Sequence, residues 1–265
     1  MSLPANLLRE EKGLSDWCVL HGYRGSIAHG MYEPPTNPLS IDDKDTMAIC
    51  VPPIGHYFGL SEYGSKGTRE IKHDEWDIVV YEARKAIRML GQGNPNILSL
   101  LWLPSTSYIR RSPAGFHLLD NRDLFVGKHV YHSFVGYAKG QLHKMTHGAH
   151  QGYMGEKRKA LVQQFGYDTK NAAHLIRLLR MGIEFLIEGN LRVDRGGVDA
   201  TELLDIKHGH LSLEEVQSKA HQLFRLAEEA YVRSTLPQRP DAGRVNELCV
   251  EVVSLAFPPR AEEKR

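Results

Sequence analysis

Three aspartates stand where a chain could hold a metal ion and a nucleotide together. Asp43 and Asp45 flank Lys44, and Asp77 sits between Trp76 and Ile78. Upstream of them is a Gly25-Ser26 pair. Mg²⁺ is a hard cation that prefers oxygen ligands, usually one or two carboxylates completed by phosphate oxygens and water. Two such ions hold both the attacking and the leaving oxygen of an in-line displacement. Alternate residues of a strand share a face, so Asp43 and Asp45 are expected to face one metal pair. Asp77, on a separate strand, would complete the set and help take the proton of an attacking hydroxyl. Ser26 and the amides after Gly25 would hold a triphosphate, as turn amides at a helix start commonly do. The chemistry implied is nucleotidyl transfer.

An acidic turn alone is ordinary solvated surface, and a lone Gly-Ser says less still. The conjunction of the two with a third Asp in an apolar stretch carries the reading. Asp42 rivals Asp43, since it could pair with Lys44 or take its place in a shifted register. Asp74 and Glu75 rival Asp77, but only Asp77 has apolar residues on both sides.

The elements that position these residues can be read from period and punctuation. Residues 16–23 form an apolar run that leads as a strand into Gly25-Ser26, and 27–31 allow one helical turn. Pro34, Pro35 and Pro38 exclude helix or central strand from the loop that follows. Residues 45–51 read as a strand stopped by Pro52-Pro53, and 69–73 and 75–82 as two strands around a tight turn at Asp74. From Ala83 the period turns helical, with Ala86, Ile87 and Leu90 on one face; Gly91 and Gly93 end it, and Asn94-Pro95 starts a helix through Leu101. Beyond, helices are expected over 113–120, 129–147, 169–188, 213–231 and 242–256. The chain thus divides into a mixed α/β unit, 1–105, and a helical unit, 106–265.

These residues resemble the signature of the DNA polymerase β nucleotidyltransferase superfamily. More narrowly, the chain is similar to its bacterial and phage branch associated with RNA repair and RNA ligases. That match rests on ICVPP at 49–53, DIVVYEARK at 77–85, GNPNIL at 93–98, YDTK at 167–170, HLIR at 174–177 and LDIKHG at 204–209. The resemblance implies an α+β fold: a mixed sheet with flanking helices followed by a helical region. It also implies two Mg²⁺ ions (Mn²⁺ as an alternative), an NTP donor, an RNA 3′ end as acceptor and an RNA ligase as a partner. By motif, Gly25, Ser26, Asp43, Asp45 and Asp77 carry over. The segment between Ser26 and Asp43 is longer and richer in proline than the family pattern. An acceptor on a protein or small molecule, and a non-catalytic nucleotide- or RNA-binding module, stay open as alternatives.

Other polar residues were weighed for the same site. Lys170, His174 and Arg177 fall at i, i+4 and i+7 on one helix face, able to reach a triphosphate or to lie in solvent. Lys207 is a further candidate for that role. His143, His147 and His150 have helical spacing for Zn²⁺, but no HExxH or nearby Cys accompanies them. The basic stretch 152–159, with Tyr153, His150 and Lys157, would suit contacts with single-stranded RNA. Apolar residues make up 42% and charged residues 25% of the 265, with a net charge of +1, so composition alone demands no nucleic acid. No apolar run approaches the roughly 20 residues of a membrane span. The three widely spaced cysteines form no disulfide framework, and the N-terminus lacks a secretory layout, so a cytoplasmic setting is expected.

Overall fold

The computed structural model describes residues 3–34, 36, 37, 40, 42–147 and 156–257, without the side chains of residues 147, 156 and 157. In chain order the first part holds α1 (Ala5–Glu10), β1 (Cys18–Tyr23), α2 (Gly25–Ala28), β2 (Lys44–Cys50), α3 (Gly55–Phe58), β3 (Thr68–His73) and β4 (Trp76–Glu82). Then come α4 (Ala83–Gly91), α5 (Pro95–Leu101), β5 (Tyr108–Arg111), α6 (Pro113–Asp120), α7 (Val130–His147) and α8 (Glu156–Phe165). The last are α9 (Thr169–Glu188), α10 (Ala200–Lys207), α11 (Leu213–Arg233) and α12 (Ala242–Ala256).

The fold is α+β, as expected. The five strands form one mixed sheet in the order β3-β4-β2-β1-β5. Only β2 and β4 run parallel; the other three pairings are antiparallel. β5 adds an edge strand that the sequence reading did not contain, taken from beyond residue 105.

Strand alternation sorts side chains onto two faces. On β2, Met47, Ile49 and, just beyond it, Val51 enter the main core, whereas Ala48 and Cys50 enter a smaller cluster with Leu3, Leu7 and Leu14. On β4, Val79 joins the main core, and Trp76, Ile78 and Val80 the smaller one. By the same parity Asp45 and Asp77 belong to the face of the main core. There they stand at its rim, where the strands begin. That core continues through α5, α7, α9 and α11.

Helix α9 is the spine of this side and packs against α7, α10 and α11. Its ends are as the sequence predicts. Asp168 accepts a hydrogen bond from the Asn171 amide at 3.1 Å, and Gly189 closes the helix at a φ of 68°. Asp168 is itself held by Arg158 at 2.7 Å, which fixes the start of the helix and with it Lys170 in the first turn. The chain after α9 is tied back by Arg195, which is fully buried and grips Glu184 through two nitrogens and Asp199 through a third. No described helix is long and apolar enough to cross a membrane.

Breaking a buried, fully bonded ion pair from one side strands its partners, at a cost of about 3–5 kcal/mol. An exposed pair costs about 0–1 kcal/mol. Arg195→Ala is therefore expected to lower the unfolding free energy by about 3–5 kcal/mol. Arg192→Ala, which loses only the exposed contact with Glu188, should lie within about 1 kcal/mol of the parent. Urea denaturation checks both.

Candidate active site

The parallel register of β2 and β4 sets Asp45 directly beside Asp77. Neighbouring strands lie about 4.8 Å apart, so two carboxylates of like charge share one spot. The cost is visible on Asp45. Burial, first, pushes its carboxyl above the usual range; Arg24 and Lys170 oppose this, and the charges of Asp77 and Asp43 add to it.

Arg24 offsets the crowding. Its Nη2 lies 3.1 Å from Asp77 Oδ1 and 3.4 Å from Asp45 Oδ1, so one cationic nitrogen serves both acids. The Arg24 backbone amide also donates to the Asp45 carbonyl at 3.0 Å. The next residue must be glycine for two reasons. Gly25 adopts a φ of +61°, and a Cβ there would sit 2.2 Å from Asp45 Oδ2. The Gly-Ser turn is thus fitted against the Asp45 carboxylate itself.

Beside the pair opens a cavity of about 290 Å³ between the sheet rim and α5, α7 and α9. Arg24, Gly25, Ser26, Asp42, Asp45, Lys170, His174, Arg177 and Lys207 supply its polar wall, and Met47, Phe134, Leu178 and Met181 part of its apolar wall. The face at i, i+4 and i+7 on α9 therefore turns to the same hollow as the Gly-Ser turn.

Arg177 is the unusual member. It is buried, yet among the described residues no carboxylate pairs with its guanidinium. Its acceptor is Met181 Sδ at 3.1 Å, with His29 Nδ1 at 3.5 Å, although that ring nitrogen already meets the Val193 carbonyl at 2.9 Å. Burial first, then Arg195, lowers its pKa to about 9. His174 is held well below its usual pKa by burial and by the cations Arg177, Lys170, Lys144 and Arg158. Its Nε2 is buried without a hydrogen-bond partner among the described residues. Among the described residues, a buried guanidinium with no carboxylate partner and a buried imidazole with an unsatisfied nitrogen give the cavity wall groups whose desolvation an anion would offset.

The remaining candidates are placed differently. Lys207 lines the cavity, but its ammonium is buried between Glu33 Oε2 at 2.8 Å and Asp42 Oδ2 at 2.7 Å. His208 holds the other Glu33 oxygen at 2.7 Å. Lys207 thus anchors both ends of the proline-rich segment. Asp42 takes that buried pairing, and Lys44 pairs instead with Glu75. Asp43 lies one residue ahead of β2 and is exposed, so strand alternation does not aim it, although its charge reaches Asp45. His150, Tyr153 and the side chains of His147 and Lys157 fall outside the described residues. Arg24 and His29 are polar residues of the cavity wall that the sequence does not single out, and Asp42 stands there only as the rival of Asp43. Arg24's one signal was a basic residue at the exit of an apolar strand, directly before Gly25.

Residues 15–251 match the RNA repair pathway DNA polymerase beta family. The chain belongs to that family. No curated protein matches it.

Among the described residues no three His, Cys, Asp or Glu side chains converge as a ready metal cage. The divalent ion expected of a polymerase-β-like family member still fits at Asp45 and Asp77, because that pair already holds a cationic nitrogen between them. Hard oxygen donors at the rim of the cavity also match the ion's preference.

The raised pKa of Asp45 has a consequence for stability. A carboxyl that ionises less readily folded than unfolded contributes stability at low pH, lost as pH rises through its folded value. At neutral pH the ionised Asp45 is therefore a net cost. Asp45→Asn is expected to raise the melting temperature at pH 7 and to narrow its gap from the parent below pH 4. Thermal denaturation across pH measures it; a lower melting temperature at pH 7 would contradict the electrostatic account.

Proposed function

We propose that this RNA-repair family member is a divalent-metal-dependent nucleotidyltransferase: an RNA 3′ hydroxyl attacks the α-phosphorus of an NTP, the bond to the β-phosphate breaks, and pyrophosphate leaves. The observation that carries the reading is the abutment of the Asp45–Asp77 pair and a cavity whose buried Arg177 forms no ion pair with a carboxylate among the described residues. Acids beside a buried guanidinium that no carboxylate pairs among the described residues suit a metal-bound polyphosphate. The work divides along the chain: residues 1–105 bring the acids and the Gly-Ser turn, and residues 106–265 the phosphate-binding cations.

Asp45 and Asp77 would hold Mg²⁺ or Mn²⁺, with Asp43 approaching from the strand entrance. Bound there, two such ions supply Lewis-acid polarisation of the α-phosphate and stabilise charge on the attacking and leaving oxygens. Lys170 and Arg177 grip the triphosphate, and Gly25 lets the backbone of Ser26 approach it. His174, kept neutral, donates or accepts one hydrogen bond without adding charge. Asp77 receives the proton of the acceptor hydroxyl. The apolar wall from Met47 to Phe134 limits water, which protects the reaction from hydrolysis. The family's RNA-repair description supports an RNA acceptor; the 3′ hydroxyl is the acceptor proposed here, with an RNA ligase as the enzyme that would act next on the repaired end.

The test is transfer of label from each α-³²P-NTP, with Mg²⁺ or Mn²⁺, into tRNA and short RNAs. Label is expected in RNA, reduced at least about a hundredfold by Asp45→Ala or Asp77→Ala. Arg177→Met should raise KM for the NTP about tenfold or more, the worth of a charged hydrogen bond. Label appearing only in protein would replace the acceptor, and label undiminished in the aspartate variants would end the proposal.

A further inference from the structure

Arg24 belongs to no motif of the reaction, yet it sits where the metal reading puts a cation. One nitrogen of its guanidinium spans both carboxylates, at 3.1 and 3.4 Å. Its Nε is buried and makes no hydrogen bond to any described residue. The stem, by contrast, is pinned, since the Arg24 amide bonds the Asp45 carbonyl and Gly25 is wedged under the Asp45 carboxylate. A fixed backbone therefore carries a charged head held by the two acids, and that head lines the same cavity as Lys170 and Arg177.

We propose that Arg24 is a resident counter-ion that a divalent cation must displace from Asp45 and Asp77, and that the freed guanidinium then pairs with the incoming triphosphate. This rests on the metal–nucleotide reading above. The reasoning is electrostatic. A guanidinium and a divalent ion cannot share one carboxylate pair without strong repulsion. A metal arriving alone would drive Arg24 into a cavity that already holds Lys170 and Arg177. A metal arriving with a polyphosphate brings the negative charge that accepts the displaced head. Arg24 thus keeps the acids compensated before substrate arrives and makes metal entry depend on the nucleotide.

Mn²⁺ binding to the full chain without nucleotide, read from the electron paramagnetic resonance of the free ion, tests the displacement. R24Q is expected to bind Mn²⁺ at least tenfold more tightly than the parent, and R24K, which keeps a cation on the pair, to stay near it. K170Q controls for simple loss of positive charge, because Lys170 also acts on Asp45; it should gain less than threefold. A gain in R24Q no larger than that in K170Q, or none, overturns the proposal. D45N should bind more weakly than the parent; equal binding would place the ion elsewhere and overturn the metal reading as well. Calorimetry with inorganic tripolyphosphate tests the second half. R24Q should weaken its binding threefold or more with Mn²⁺ present and leave it unchanged without metal. An equal loss in both conditions makes Arg24 an ordinary phosphate ligand and overturns the exchange.

Discussion

Two carboxylates forced side by side on parallel strands are the constraint on which this protein turns. The pairing of β2 with β4 buries Met47, Ile49 and Val79, and the same register leaves Asp45 and Asp77 abreast at the strand entrances. The sheet cannot slip by one residue to relieve them, because a slip would turn every core side chain to the other face. Repulsion is thus built into the frame, and a cation must answer it. In the free protein the answer is Arg24.

The rest of the fold supplies the opposite charge at the right distance. Helix α9 is long, capped at both ends and packed on three neighbours, so Lys170, His174 and Arg177 are held rigidly on one face. Burying Arg177 without an acid is expensive unless an anion is brought to it. Glu33 and Asp42 fasten the proline-rich segment to Lys207 and His208, far along the chain. Burial pushes the Glu33 carboxyl up, but the Lys207 and His208 contacts prevail and hold it below its usual value. One lysine therefore joins the two halves of the chain at the cavity wall. The described residues at the two ends of that segment, Glu33 and Asp42, lie outside any helix or strand and are held by charge instead.

Much of this was legible in the sequence, for local reasons. Alternation and turn residues located β2 and the β3–β4 hairpin, and the expected helices 113–120, 169–188 and 242–256 coincide with α6, α9 and α12. The spacing of Lys170, His174 and Arg177 fixed a common face but not its surroundings, which depend on the sheet. What stayed illegible was long-range. Asp42 and Asp43 are indistinguishable until Lys207, distant in sequence, selects the first. β5 is four residues of a partly exposed edge, too short for a period. Arg24 has no spacing signal, because its role arises from two acids on strands it does not belong to.

The central claim is that Asp45 and Asp77 hold the metal while α9 holds the triphosphate. Crystals grown with Mn²⁺ and a non-hydrolysable NTP, examined at the manganese absorption edge, test it most directly. The account predicts anomalous density at the Asp45–Asp77 pair, Arg24 withdrawn from it, and the triphosphate against Lys170 and Arg177. Manganese bound away from that pair, or a triphosphate bound with Arg177 still unmatched, would contradict it.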